Sequence, residues 1–259
     1  MARVTGPARG TASAADTCAI VAAGGLGMRF GDPRGKQYVE ICGLPVVDWS
    51  IAAFDDSPSV GHVVVVCPEG RESETRAAVR RLAPSVPVSY VRGGATRQES
   101  CLAGIRAVPE GFALVAIHDG ARPLVTRATI EAVIARVRDD TAVDGAICAH
   151  PSADTLKVVR DGVVVSTPDR SRYWAVQTPQ VFRLEVALAA HEQAAEAGFV
   201  GTDDASLVER MGGTVALVES PSDNMKVTVP EDRAFVESIL SGRLAGAAPV
   251  RRRAWGGER

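Results

Sequence analysis

Short β-branched runs alternate along the chain with stretches in which apolar residues recur every three or four positions. The runs TCAIVA (17–22), HVVVVC (62–67), VPVSYV (86–91), FALVAIHD (112–119), DGAICA (144–149) and TVALVE (214–219) predict strands. Between them, ESETRAAVRRL (72–82), RQESCLAGIRAV (97–108) and TIEAVIARVRD (129–139) predict helices. Near-continuous Val and Ile content marks the strands as buried on both faces, which calls for a mostly parallel sheet covered by helices. The expected class is α/β. No repeat or low-complexity linker divides the chain, so one domain is expected over residues 17–240, with a disordered leader at 1–16 and a flexible basic tail at 241–259.

The alternation breaks between about His150 and Gln180. TLKVV, an Arg160-Asp161-Gly162 turn and VVVST predict a β-hairpin, followed by a Pro-bearing aromatic loop. An antiparallel insertion in a parallel fold reads as an arm that covers the site or grips a second subunit. The helical pattern resumes at LEVALAAHEQAAEAG (184–198). Thr202 is then expected to cap DDASLVERM, which ends at Gly212-Gly213, and Pro230 with Glu231 and Asp232 to open a last helix down to about Leu240.

Composition narrows the function classes. The 259 residues are 46% hydrophobic and 23% charged, with a net charge of −2, which argues against nucleic-acid or membrane-surface binding as the main activity. No apolar run approaches the roughly 18 residues needed to cross a membrane. The N-terminal MARVTGPARGTASAAD lacks the apolar region of a secretory signal. The five cysteines (Cys18, Cys42, Cys67, Cys101, Cys148) are scattered and odd in number, and four lie in or beside apolar runs. Buried reduced thiols in a cytoplasmic protein are expected.

The chemistry concentrates where predicted strands end, which is where open α/β sheets bind ligands. After TCAIVA comes AGGLGMRFGDPRGKQ (23–37). A Walker A loop needs GxxxxGK[ST], but Gly35-Lys36 is followed by Gln37 and Phe30 stands where the first glycine belongs. A dinucleotide fingerprint needs GxGxxG, but the third glycine arrives one residue late, at Gly31. Two readings remain: a nucleoside triphosphate cradle whose charges Arg29 and Lys36 balance, or a tight turn with two solvated cations. Asp119 in HDGARP follows a buried strand and can hold a hard cation such as Mg²⁺ beside triphosphate oxygens, or cap a helix. Arg122 is placed for a second phosphate. Gly93-Gly94 in RGGATRQES either expose backbone groups to a nucleobase edge or form a turn that Ser100 follows. Lys226 in DNMKVTVPED lies in an expected strand, as a site cation or an edge lysine. The four histidines lack metal-ligand spacing, and His118 is expected to be structural.

As an ordered set, AGGLGMRFG with GKQ, GGATRQES, HDGARP, TPDR, TPQ, GTDDAS and DNMKVTVPED resemble the 2-C-methyl-D-erythritol 4-phosphate cytidylyltransferases, from about Cys18 to Leu240. The resemblance implies a three-layer Rossmann-like nucleotidyltransferase fold, a homodimer formed through the β-hairpin arm at about 150–180, and Mg²⁺ dependence. It implies CTP and a polyol phosphate as substrates. On this footing Arg29, Lys36 and Lys226 are catalytic. Ala23, Gly24, Gly25, Gly94, Ala95 and Ser100 hold the nucleotide, and Asp119 holds the metal. Arg122, Thr178 and Thr202 surround the acceptor, while Thr155 and Arg170 reach the neighbouring subunit's site. Ala95 stands where some members carry an acid, and Gly35 where many carry proline. A sister group, the ribitol-5-phosphate cytidylyltransferases, shares the scaffold. A non-catalytic nucleotide-binding relative and an NAD-linked oxidoreductase are the readings from other classes.

Overall fold

The computed structural model describes residues 15–25, 30 and 35–246; Arg29, the leader up to residue 14 and the tail beyond 246 lie outside the described residues. A seven-stranded sheet runs in the order β11 (Val215–Glu219), β7 (Gly145–Pro151), β10 (Trp174–Arg183), β6 (Leu114–Asp119), β1 (Thr17–Ala22), β4 (Val60–Cys67) and β5 (Val88–Arg92). All neighbours pair in parallel except β10, which is antiparallel to both β6 and β7. The expected mostly parallel α/β fold is therefore observed.

The alternation within β1 explains the layers. Ala19 and Val21 face one helical layer, together with Val63 and Val65 of β4. That layer holds α1 (Val46–Asp55), α2 (Glu72–Leu82) and α4 (Arg127–Arg138). Cys18 and Ile20 face the other, built from α3 (Arg97–Arg106), α5 (Leu184–Glu196) and α6 (Asp204–Arg210). Each such Val or Ile side chain contributes roughly 1.5–3 kcal/mol on burial. The α3 helix lies so close to β1 that a Cβ at Gly104 would sit 2.6 Å from Ile20 Cγ2. A third cluster seats α7 (Asp232–Gly246) through Val236 and Leu240 on Trp49 and Leu124. All five cysteines are free and four are buried.

Several expectations need correction. The α1 helix was not anticipated because VVDWSIAAFD is buried on almost every side and so shows no polar stripe. The β10 strand was not anticipated because Pro179 reads as a loop marker. The strand tolerates it because pairing with β7 breaks between Val176 and Gln180. The last helix runs beyond Leu240 to Gly246, into the stretch expected to be tail. At the other end, Asp16 is fastened by Arg138, and its carbonyl accepts from Ala113 N at 3.0 Å. Asp203, not Thr202, caps α6, forming a capping box with Ser206. Lys226 lies in no strand. Its segment is an irregular strap held by Val227 N donating to Ala121 O at 2.8 Å. In the arm, β8 (Val158–Arg160) and β9 (Val163–Ser166) flank Asp161 and Gly162, whose φ values of 50° and 78° suit the tight hairpin turn.

Asp48 is a buried exception in this core. It is 1% exposed, and neither carboxylate oxygen has a hydrogen-bond partner among the described residues. A carboxylate three residues into a helix normally reaches back to the N-cap N–H, but the cap here is Pro45, which has none. Burial pushes the Asp48 carboxyl up to about 7, against a smaller opposing pull from Arg81. A carboxyl whose folded pKa exceeds its unfolded value of about 3.9 holds its proton more tightly when folded. Stability therefore falls as pH rises from about 4 to about 7, and this contribution is flat above. Asp48→Asn is expected to remove that slope and to be the more stable protein at pH 8, by on the order of 2–4 kcal/mol. Denaturant unfolding of both proteins at pH 5 and pH 8 checks this; parallel pH dependences would contradict it.

Candidate active site

The loops at the carboxyl ends of β1, β5 and β6 meet the strap at residues 224–228. After β1, Ala23 N donates to Val66 O at 3.0 Å, and Gln37 Nε2 donates to Ala23 O at 3.1 Å. The buried Gln37 thus ties the two ends of the glycine-rich loop together. Gly35, at φ 95°, turns the chain into the short helical turn Lys36–Tyr38. Lys36 Nζ donates to Val227 O at 2.7 Å, so this loop and the strap brace each other.

Beyond β5, the GGATRQES loop is fastened from within. Gly93 N donates to Cys67 O, Gly94 N to Ser100 Oγ and Ala95 N to Glu99 Oε2, at 2.9, 3.1 and 2.7 Å. Thr96 and Glu99 form a capping box on α3. Side chains at Gly24 or Gly93 would press on Ser100 Oγ, at 3.2 and 2.8 Å. Of the backbone donors and acceptors expected to face a base, the three N–H groups are bonded within the protein.

Asp119 ends β6 and gathers cations from three segments. Its Oδ1 accepts from Arg97 Nε at 3.1 Å, and its Oδ2 from Lys226 Nζ at 2.9 Å and Arg122 Nε at 3.5 Å. Burial raises the carboxyl pKa, but Arg97, Lys226 and Arg122 together outweigh it and hold the group well below the usual carboxylate range. Asp119 N donates to Thr178 Oγ1 at 3.0 Å, and the same hydroxyl lies 3.0 Å from His118 Nδ1. Burial drives the His118 pKa down to about 4, so it is neutral near pH 7 and serves as a structural partner. Arg122 Nη1 also donates to Asn224 O at 2.8 Å, and Asn224 Nδ2 to Thr178 O at 2.9 Å. The strap is therefore positioned by side-chain bonds and the single Val227–Ala121 backbone bond rather than by a ladder.

Two cavities flank this cluster. One, of about 360 Å³, is lined by the glycine-rich loop, Lys36, Gly94 to Thr96 and Ser100. The other, of about 350 Å³, is lined by Arg122, Gln177, Thr178, Thr202 and Asp203. Arg97, Asp119 and Lys226 line both. Such an arrangement can seat two anionic ligands end to end, with cations at the junction.

The family model for 2-C-methyl-D-erythritol 4-phosphate cytidylyltransferase matches residues 17–242. The chain belongs to this family. It is 42% identical over 231 residues to the 2-C-methyl-D-erythritol 4-phosphate cytidylyltransferase of Geobacter metallireducens, covering 87% of this chain and 98% of that one. The Synechococcus elongatus protein of the same name is 40% identical over 230 residues, covering 88% and 98%. Among solved structures, 4-diphosphocytidyl-2C-methyl-D-erythritol synthase from Anaerococcus prevotii superposes with a TM-score of 0.77 at 26% identity, covering 88% of this chain and 99% of that one. The 2-C-methyl-D-erythritol 4-phosphate cytidylyltransferase of Thermus thermophilus gives 0.71 at 29% identity, covering 86% and 98%. The Rossmann-like nucleotidyltransferase fold of these family members is the fold observed here.

Within this cytidylyltransferase-family site, the structure brings Ala23, Gly24, Gly25, Lys36, Gly94, Ala95, Ser100, Asp119 and Lys226 around the first cavity. Arg122, Thr178 and Thr202 fall around the second. Thr155 and Arg170 line neither cavity. They lie exposed on the arm, where Arg170 Nη1 donates to Ala153 O at 2.9 Å. Arg29 lies outside the described residues. Sequence reasoning passed over Arg97 and Gln37. Arg97 stands inside the quoted GGATRQES and Gln37 inside GKQ, and their type and place beside a strand end were the available signals.

Proposed function

We propose that the protein transfers the cytidylyl group of CTP to 2-C-methyl-D-erythritol 4-phosphate, giving CDP-methylerythritol and pyrophosphate. The observation that carries this reading is the shared wall of Arg97, Asp119 and Lys226 between two cavities. CTP occupies the first cavity and the acceptor the second, so the α-phosphorus and the attacking phosphate oxygen meet at the cations. The new P–O bond forms as the bond to the pyrophosphate oxygen breaks. The nucleophile is already anionic, so no base is needed, and His118 is not asked to act as one. Positioning and charge stabilisation by Arg29, Lys36 and Lys226 supply the catalysis. With its donors engaged, the 93–95 loop retains acceptors for a base, which suits the N4 amine of cytosine rather than the O4 of uracil.

Asp119 fits Mg²⁺ as one ionised ligand. The described residues contain no group of three metal-binding side chains, so Asp119 would hold the ion together with substrate phosphate oxygens and water. When bound there, the ion supplies charge neutralisation to the departing pyrophosphate. Both Asp119 oxygens are already paired, so Mg²⁺ is expected to bind with the nucleotide rather than before it. In thermal unfolding, Mg²⁺ alone should leave Tm unchanged, whereas CTP with Mg²⁺ should raise it beyond CTP with a chelator. A shift with Mg²⁺ alone would count against this order.

The arm supports a homodimer. Its valines point to solvent, Val163 being 67% exposed, and a second subunit would cover them. Thr155 and Arg170 of one subunit then complete the acceptor cavity of the other. The free thiols suit a cytoplasmic location, and among the described residues no helix is long and apolar enough to cross a membrane. The deciding experiment offers purified protein CTP with methylerythritol phosphate or with ribitol 5-phosphate and measures pyrophosphate release. Faster release with ribitol phosphate would reassign the acceptor, and CTP binding without turnover would make the protein a non-catalytic relative.

A further inference from the structure

Arg97 has two carboxylate partners, and only one of them lies at the junction of the cavities. Its Nη2 donates to Asp204 Oδ2 at 2.8 Å while its Nε holds Asp119. Asp204 is 1% exposed, at the start of α6 behind the site. Gln180 fixes that start, accepting from Ala205 N at 3.0 Å and donating to Asp203 Oδ2 at 2.8 Å. The other Asp204 oxygen faces the buried His191, whose Nε2 lies 3.3 Å away. Arg97 is the one guanidinium that bonds Asp204 among the described residues, at 2.8 Å. A buried carboxylate of this kind fixes a flexible guanidinium in one orientation.

We propose that Asp204 is a positioning residue for cytidylyl transfer, anchoring Arg97 so that Asp119 presents a fixed, ionised oxygen to the metal–nucleotide complex. This inference rests on the function proposed above. It extends that function to a residue that lines neither cavity. Without the anchor, Arg97 is free to turn into either cavity or to neutralise Asp119 in the wrong geometry.

The test is a double-mutant cycle on Asp204→Asn and Arg97→Gln. Each single variant is expected to lower kcat about tenfold to a hundredfold, and the double variant no more than about threefold further, because both remove one interaction. Calorimetry provides a readout independent of turnover. Asp204→Asn should weaken CTP binding about tenfold in the presence of Mg²⁺ and leave it unchanged with a chelator. Ser206→Ala, which weakens the α6 cap without touching Arg97, should lower Tm and leave kcat within about twofold. Multiplicative losses in the double variant, or equal weakening with and without Mg²⁺, would overturn the inference. If Asp204→Asn does not fold, Asp204→Glu, which shifts the charge by one methylene, carries the same expectations. A wild-type protein that binds CTP without turnover defeats the function but leaves the calorimetric arm to decide this inference; one that does not bind CTP defeats both.

Discussion

Lys226→Met is expected to lower kcat by about a thousandfold while leaving the fold intact. Methionine keeps an unbranched apolar stem of nearly the same reach and removes the terminal ammonium. That ammonium lies 2.9 Å from Asp119 Oδ2 and lines both cavities, so a reacting phosphate seated between them would meet it. The structural cost is small for two reasons. The Lys226 side chain is 38% exposed, so solvent screens its ion pair. Asp119 also keeps Arg97 and Arg122 when Lys226 is neutralised. The strap itself is held by the backbone bond from Val227 to Ala121 and by Asn224, neither of which needs the ammonium. The loss should therefore fall on kcat more than on the KM for CTP, since the charge acts on the transition state. Steady-state pyrophosphate release and a thermal melt of both proteins measure this. A variant with near-normal kcat would remove Lys226 from the chemistry.

The contrast between Lys226 and Arg97 shows what a linear reading reaches. Strand and helix periods were legible because burial repeats locally: Ala19 and Val21 face one layer, Cys18 and Ile20 the other. Elements without a local contrast were not legible. The α1 helix has almost no polar face, and β10 carries a proline that its broken register accommodates. Lys36 stood out beside the glycines of its loop, and Lys226 as a lysine in an expected strand just before a helix start. Arg97 did not, because its meaning depends on Asp119 and Asp204, far away in sequence and adjacent only after β6 and α6 have packed. The same reason hides the bracing of Lys36 against Val227, which joins opposite ends of the domain. Thr202 was read as a cap because Ser, Thr and Asp all serve, and the choice of Asp203 depends on how Gln180 holds the helix start.

Asp119→Asn is expected to produce the other large effect, and to separate the carboxylate's chemistry from its contribution to stability. The substitution keeps the shape and removes the charge around which Arg97, Arg122 and Lys226 converge. It also turns one acceptor into a donor that faces cations. Deleting one partner of a buried ion pair typically costs about 3–5 kcal/mol. Here the cost should be nearer the low end, because Asp204 still holds Arg97 and the Asn224 carbonyl still holds Arg122. Turnover is expected to fall by about a thousandfold or more, since the same change removes the carboxylate proposed above to hold the metal ion. The pH dependence of stability adds a second signature. Asp119 has a folded pKa well below its unfolded value of about 3.9, so it stabilises the native state above about pH 4. That stabilisation drains away as pH falls further, and the variant has none to lose. The gap between wild type and variant, measured by denaturant unfolding, should therefore be wide at pH 7 and narrow toward pH 2. A constant gap would mean that the carboxylate is not held ionised by its three cations. Turnover within about tenfold of wild type would mean that it does not hold the metal.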